Sequence, residues 1–277
     1  MVNIAIVTDS TADIPAELAQ AYQIQIVPNL VIIDGQSLED GIDISREQFY
    51  ERLPEMANPP TTATASSGTY QQLYERLLGQ GASHIISIHV AGQLSGVINA
   101  ASTAAQFFGS SVHVLDSKQL SLGLGFQVLE AAECSLKDLS LDTILERIGD
   151  VSRRVRVVAM LDTLEYVRRS GRVSWARAQL GNLLHVKPFL EVREGNVFKL
   201  GDTRTRRKGI ERFKQLVRDL GALERFAMLH TNVEDEARRI LEEINPDLNT
   251  PPLVVNVTTA IGTHVGPNGL GFAAVLR

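Results

Sequence analysis

Short apolar runs rich in Val and Ile alternate with helical patterns through the first half of the chain. The runs are NIAIVTDS at residues 3–10, HIISIHV at 84–90 and VHVLD at 112–116. Runs of this length and composition are typical of strands that are buried on both faces of a parallel sheet. Because helical segments separate them, the pattern predicts an open α/β unit in which crossover helices cover a parallel sheet.

The pattern changes after residue 150. KPFLEVREGNVFKL, residues 187–200, is typical of two strands around a Glu-Gly-Asn turn, and a hairpin among helices predicts a mixed sheet. A chain of 277 residues is long enough for two domains. We therefore predict an α/β domain with a mainly parallel sheet over residues 1–150 and an α/β domain with a mixed sheet and helices over residues 151–277.

The composition argues against several classes of protein. A net charge of -5 and a pI near 5.7 disfavour a nucleic-acid partner, which usually leaves a basic footprint. The single cysteine, Cys134, excludes an internal disulfide, and no cysteine and histidine spacing predicts a metal site. No stretch approaches about 18 uninterrupted apolar residues, and the start has no signal-peptide pattern. We therefore expect a cytoplasmic protein.

Four polar segments are candidate ligand contacts, because ligands of open α/β sheets lie beyond the carboxyl ends of the strands. A hydroxyl-rich segment ahead of a helix is suited to an anion or carboxylate, and arginine beside glycine can approach either closely. Each segment also has a purely structural interpretation, as a turn, a helix cap, a polar loop or a solvated basic helix end. The segments are TDSTAD (8–13), PPTTATASSGTY (59–70), HVAGQLSGVINAA (89–101) and LEYVRRSGRV (164–173).

A glycine-rich segment near the end of the chain, THVGPNGLGF, carries one histidine, His264. Its glycines have the wrong spacing for the dinucleotide motif G-x-G-x-x-G, and too few residues follow for a further helix. We predict a loop between two late strands, in which glycines let the backbone approach a ligand and the histidine donates an N–H to a carboxylate. A histidine that only bonds within the loop is the alternative.

Seven segments of the chain resemble the DegV family, and they occur in that family's order. The resemblance covers essentially the whole chain. It implies a two-domain α/β fold with a lipid tunnel between the domains. It also implies binding of one long-chain fatty acid, such as palmitate, stearate or oleate, without a cofactor or a metal. The segments are DSTADIP, TTATASSGTY, LSG, VLDS, LEYVRRSGRV, LGNLLHVKPFL and THVGPNGLG.

The resemblance also implies roles for single residues, taken over from the matching motif positions. Arg204, which opens the run RTRRK, matches a family residue that faces a kinase. The residues matched to the fatty-acid carboxylate are Thr62, Ser95, Arg172 and His264. Further candidate pocket residues in these segments are Ser10, Thr61, Gly96 and Gly266.

The family's role implies a partner as well as a ligand. In bacteria with a fatty acid kinase, DegV proteins present the bound carboxylate to a separate ATP-binding subunit, which makes an acyl-phosphate. The resemblance thus implies that the chain is a non-catalytic carrier. Transient contact with a membrane surface is compatible with that role.

Two alternatives stay open. The first is a serine hydrolase with Ser95 as nucleophile, Asp116 as orienter and His264 as base, although Ser95 lacks the G-x-S-x-G spacing of a nucleophile elbow. The second is a lipid-binding sensor without a kinase.

Overall fold

The computed structural model describes residues 3–173, 176 and 186–277. Within these residues, no helix is both long enough and apolar enough to cross a membrane. The strands are β1 (Ile4–Asp9), β2 (Gln25–Val27), β3 (Leu30–Ile33), β4 (Gln36–Glu39), β5 (Thr61–Ala63), β6 (His84–His89), β7 (Val112–Asp116), β8 (Val155–Met160), β9 (Lys187–Arg193), β10 (Asn196–Thr203), β11 (Leu223–His230), β12 (Leu253–Asn256) and β13 (Leu270–Leu276). The helices are α1 (Ala16–Ala21), α2 (Arg46–Arg52), α3 (Ser67–Gly79), α4 (Val97–Ala105), α5 (Leu122–Leu136), α6 (Leu141–Arg154), α7 (Glu165–Ser170), α8 (Arg206–Arg218), α9 (Glu234–Ile244) and α10 (Thr259–Val265).

The first sheet is parallel, with the strand order β2, β1, β6, β7. Its central strands, β1 and β6, are largely buried, and Val7, Ile85 and Ile86 have no exposed surface. This confirms the parallel sheet predicted from the apolar runs. All four strands end at one edge, so the turns that follow β1 and β6 lie close together.

The second sheet is mixed, with the order β10, β9, β8, β13, β11, β12. Only β11 and β12 run parallel, and the other neighbours are antiparallel. The predicted hairpin joins β9 to β10, and both Glu194 and Gly195 adopt positive φ in its turn. The predicted division of the chain near residue 150 stays a prediction, and residue 150 lies within α6.

Helix α5 lies between the two sheets and contacts β1 and β6 on one side and β8 and β13 on the other. Eleven of its fifteen residues are buried, as expected for a helix packed on two sides. Two glycines allow the close approach. A Cβ on Gly123 would collide with the side chain of Val157, and a Cβ on Gly125 would lie 2.5 Å from the backbone oxygen of Ala12.

A third sheet is small and antiparallel, with the order β4, β3, β5. A polar loop was one interpretation of the hydroxyl-rich segment, but its residues Thr61–Ala63 form β5. Pairing with β3, a distant stretch of the chain, supplies the hydrogen bonds that make this segment extended. The sheet therefore fixes the backbone that carries the hydroxyl groups of Thr61 and Thr62.

The segment around His264 is also different from the prediction. Thr259–Val265 form α10, so His264 lies in the last turn of a helix and not in a loop. Thr258 caps this helix, and its hydroxyl accepts a hydrogen bond of 3.1 Å from the backbone N–H of Ala260. The loop proper begins at Gly266, where the φ of +80° ends the helix.

Candidate functional site

A cavity of about 580 Å³ lies between the carboxyl edge of the parallel sheet and one face of the mixed sheet. Residues that alternate along the mixed strands line it, such as Val157 and Ala159 on β8 and Leu190 and Val192 on β9. The period of two in a strand places these side chains on one face of the sheet. Together with Ile261 of α10, they give the cavity a mainly apolar wall.

The four residues matched to the carboxylate all line this cavity. Thr62 extends from β5, His264 from the last turn of α10, and Ser95 from the turn before α4. Arg172 follows α7 and Gly171, which adopts positive φ. Three separate sheets and their connections thus bring together residues that are far apart in the chain. Their role in binding a carboxylate stays a prediction.

Thr62 and His264 are hydrogen-bonded to each other, with 2.9 Å between Oγ1 and Nε2. The other ring nitrogen, Nδ1 of His264, is buried and has no hydrogen-bond partner among the described residues. Burial, and next the positive charge of Arg172, lower the pKa of His264 to about 4. The imidazole is therefore neutral at pH 7 and carries a single N–H.

This neutral pair offers one spare donor in either tautomer of the ring. If the Thr62 hydroxyl donates to Nε2, the proton of His264 is on Nδ1, where no described group accepts it. If Nε2–H donates to Thr62, the hydroxyl hydrogen of Thr62 is free to donate elsewhere. The pair therefore lacks an acceptor in both cases. Because Nδ1 is buried, a ligand oxygen in the cavity can reach the spare donor when that donor is the Thr62 hydroxyl.

Ser95 and Arg172 add donors at the exposed end of the cavity. The Ser95 hydroxyl accepts a weak bond from Val97 N–H at 3.4 Å and keeps its own hydrogen for donation. Arg172 is exposed, and its Nη1 donates to the backbone oxygen of Ser170 at 2.7 Å. Among the described residues it forms no ion pair, so its charge is available to an anion.

Three further candidates do not line the cavity. Thr61 is exposed, because side chains alternate along β5 and its neighbour Thr62 faces the cavity. The Ser10 hydroxyl donates to Asp40 at 2.6 Å, away from the cavity. A Cβ on Gly266 would collide with the ring of Tyr166, so this glycine serves helix packing. Gly96, the remaining candidate, lines the cavity and is exposed.

The family model "Uncharacterised protein, DegV family" matches residues 3–277 of the chain. The chain belongs to the DegV family. It is 34% identical over 275 residues to the protein DegV of Bacillus subtilis, and the match covers 97% of this chain and 98% of that protein. It is 35% identical over 276 residues to a DegV domain-containing protein of Deinococcus radiodurans, with 98% of each chain covered.

Two solved structures of DegV proteins have the same fold. One is the fatty-acid-binding DegV family protein from Thermus thermophilus, with a TM-score of 0.90 and 31% identity, covering 99% of this chain and 100% of that one. The other is DegV from Bacillus subtilis, a fatty acid binding protein, with a TM-score of 0.88, 33% identity and 100% of both chains covered. The predicted family and fold class are confirmed.

Four polar residues line the cavity of this DegV chain although no sequence motif had pointed to them: Asn29, Ser121, His230 and Thr231. Asn29 precedes β3, and Thr231 follows β11, at the carboxyl end of that strand. Thr231 could have been predicted as a ligand contact from its position directly after the carboxyl end of a strand. Arg204, the candidate for partner contact, lies outside the cavity on the exposed segment before α8.

The geometry does not favour the hydrolase alternative for a DegV chain of this kind. Nε2 of His264 bonds to Thr62 and not to Ser95. The Asp116 carboxylate accepts backbone N–H groups, from Gly92 at 3.2 Å and from Lys118 at 2.8 Å. Within the described chain, no hydrogen bond joins Ser95, Asp116 and His264, so the orientation that a triad requires is missing.

A second set of acidic, imidazole and hydroxyl groups is buried in the parallel sheet. Asp9 Oδ2 lies 3.0 Å from His89 Nδ1, and His89 Nε2 lies 2.7 Å from Ser87 Oγ. Burial opposes ionisation of Asp9, but its bonds to His89 and to neighbouring donors lower the pKa of its carboxyl. All three residues have no exposed surface, so the set cannot reach a substrate.

The described residues contain no group of three or more His, Cys, Asp or Glu side chains that could hold a metal ion.

Proposed function

We propose that this chain binds one long-chain fatty acid in the cavity, with the acyl chain along the mixed sheet and the carboxylate at Thr62, Ser95 and His264. The observation that carries the proposal is the spare donor of the Thr62 and His264 pair at one end of an apolar cavity. The relatives from Thermus thermophilus and Bacillus subtilis, which are fatty acid binding proteins, support it.

The physical chemistry of the cavity agrees with such a ligand. Each buried methylene contributes about 0.8 kcal/mol, so a chain of about 16 carbons contributes roughly 10 kcal/mol before ordering costs. A carboxylate that leaves water must be hydrogen-bonded or paired. Thr62, Ser95 and the His264 ring provide neutral donors, and the exposed Arg172 guanidinium provides positive charge near the opening.

We further propose that the chain is a carrier and presents the carboxylate to a separate ATP-dependent kinase, which forms the acyl-phosphate. Exposure at the polar end supports this, since Gly96 and Arg172 line the cavity and are both exposed. A partner could therefore reach the carboxylate while the acyl chain stays buried. Dependence on ATP would place the protein in the cytoplasm.

Mass spectrometry of the gently purified protein tests the ligand. We expect one fatty acid per chain after denaturation and extraction. If no fatty acid is present, and the protein also binds neither added palmitate nor added oleate, the proposed function is wrong.

A second experiment tests the carrier role, by adding ATP and a fatty acid kinase subunit to the loaded protein. Formation of an acyl-phosphate supports it. If a kinase subunit from the same organism does not phosphorylate the bound fatty acid, the chain would instead be a lipid-binding sensor. A fluorophosphonate probe provides the control for hydrolase chemistry, and we expect it to leave Ser95 unlabelled.

A further inference from the structure

Helix α10, which carries His264, begins at a carboxylate from a distant part of the chain. Asp40 is 5% exposed and accepts four hydrogen bonds. Thr259 donates twice, through its backbone N–H at 3.1 Å and its hydroxyl at 2.6 Å. The hydroxyl groups of Thr258 and Ser10 also donate, the latter at 2.6 Å. These donors use essentially the full acceptor capacity of the carboxylate.

The negative charge of Asp40 is also well placed for the helix. Two N–H groups at the start of α10 bond to carboxylates, that of Thr259 to Asp40 and that of Thr258 to Asp13 at 2.8 Å. Such groups have no partner within the helix itself. Carboxylates near a helix N-terminus are further favoured by the helix dipole. Asp40 thus holds the first turn of α10 through bonds and through charge.

The last turn of α10 is held by the same small sheet. Asp40 directly follows β4, and Thr62, the partner of His264, lies on β5. Both strands flank β3, in which Leu30 pairs with Glu39 and Val31 pairs with Thr62. The three-stranded sheet therefore holds both ends of a helix that is about 10 Å long.

A helix this short has little stability of its own. Isolated helices below about 12 residues are marginal in water, so α10, with seven residues, depends on its tertiary contacts. If Asp40 no longer accepts its bonds, the start of the helix keeps only the bond from Thr258 N–H to Asp13 and the bonds from the Tyr50 hydroxyl to the nearby carbonyls. The placement of the His264 ring beside Thr62 then becomes less well defined, and so does the donor that the ring offers to the cavity.

We propose that Asp40 is a positioning residue for His264, acting through α10 without touching the ligand. This proposal rests on the proposed function, in which the His264 ring helps to hold the ligand carboxylate. Its first test nevertheless requires no ligand, so the two proposals can fail separately.

The ligand-free test is an NMR titration of the His264 ring in the wild type, in Asp40→Asn and in Asp43→Asn. Wild-type His264 should titrate near pH 4. In Asp40→Asn we expect the apparent pKa of the ring to rise toward its ordinary value of about 6.5, as the ring gains access to water. Asp43 is exposed in the same loop, accepts Glu39 N–H at 2.8 Å, and should leave the titration unchanged when substituted. An unaltered titration in folded Asp40→Asn would overturn the proposal.

The ligand-bound test compares palmitate with hexadecanol, which has the same chain length and no carboxylate. We expect Asp40→Asn to weaken palmitate about tenfold and hexadecanol less than about threefold, because a charged carboxylate depends more on the placed donors than the neutral hydroxyl of hexadecanol does. An equal loss for both ligands would make Asp40 a general stability residue and would overturn the proposal. If the wild type binds neither ligand, the proposed function fails, and the ring titration still decides the role of Asp40.

A milder substitution covers the case in which Asp40→Asn does not fold. Thr259→Val removes one of the four donors to Asp40 at nearly constant side-chain volume. It should raise the apparent pKa of His264 and weaken palmitate in the same direction, by a smaller factor. A folded Thr259→Val protein with wild-type values for both measurements would count against Asp40 as the positioning residue.

Discussion

Nε2 of His264 lies 2.9 Å from Oγ1 of Thr62, a residue 202 positions earlier in the chain. The contact joins a small antiparallel sheet to a short helix at the edge of an apolar cavity. One donor of this pair has no acceptor among the described residues. Tests of the site therefore begin with these two residues.

Thr62→Val should weaken fatty-acid binding about tenfold. The substitution keeps the side-chain shape, removes the hydroxyl and leaves Nε2 of His264 without its partner, at a cost of roughly 1–3 kcal/mol. Calorimetric titration with palmitate measures the change. Thr61→Val is the matched control, because Thr61 neighbours Thr62 but is exposed and does not line the cavity. Equal affinities for the two variants would contradict the assignment of Thr62.

His264→Gln should change how stability depends on pH. The pKa of His264 is about 4 in the folded protein and about 6.5 when unfolded. The stabilising contribution is therefore complete above pH 6.5 and is lost as the pH falls toward 4, because the unfolded chain binds the proton first. Over that interval the wild type should lose roughly 1–3 kcal/mol relative to His264→Gln. Urea unfolding at several pH values measures this, and parallel curves would refute it.

Asp13→Asn should show the opposite pH dependence. Burial raises the pKa of Asp13 to about 6, although Arg46, Ser121 and Thr258 act to lower it. The folded protein therefore binds this proton more tightly than the unfolded chain, whose pKa is near 3.8. The contribution is present below pH 4 and is lost as the pH rises through 6, by roughly 1–3 kcal/mol. Relative to the wild type, Asp13→Asn should gain stability between pH 4 and pH 7 in the same unfolding assay.

Arg204→Ala should separate partner recognition from lipid binding. Arg204 is exposed and lies outside the cavity, so fatty-acid occupancy should equal that of the wild type. Phosphorylation of the bound fatty acid by a fatty acid kinase subunit should fall severalfold, because the family resemblance implies that Arg204 faces the kinase. Arg218→Ala, at an exposed position at the far end of α8, serves as the control. If Arg204→Ala loses its bound lipid, Arg204 takes part in lipid binding, and its assignment to the partner surface is wrong.

Local signals in the sequence predicted the parallel strands and the hairpin between β9 and β10. In the hairpin, Glu194 and Gly195 both adopt positive φ, and Gly195 is the residue type that favours this conformation. The buried strands were predictable because apolar β-branched runs of their length have few other stable environments. These elements depend mainly on residues close together in the chain.

The elements that were missed depend on distant residues. Helix α10 was taken for a loop, because the glycines and proline after His264 dominate the pattern, whereas Asp13 and Asp40 stabilise its start. Strand β5 exists through its pairing with β3. The four candidate carboxylate residues came from the family resemblance, and neither the Thr62 to His264 bond nor the partnerless Nδ1 could be read from residue types.

The position of α5 has a consequence for the whole chain. The helix belongs to the first half of the sequence, but Gly123 rests directly on Val157 of β8, in the second half. If the chain were cut near residue 150, the first fragment would expose this apolar side of α5 to water, and the second would expose the sheet face beneath it. Neither fragment is expected to be soluble alone, and the intact chain is expected to unfold in one cooperative transition.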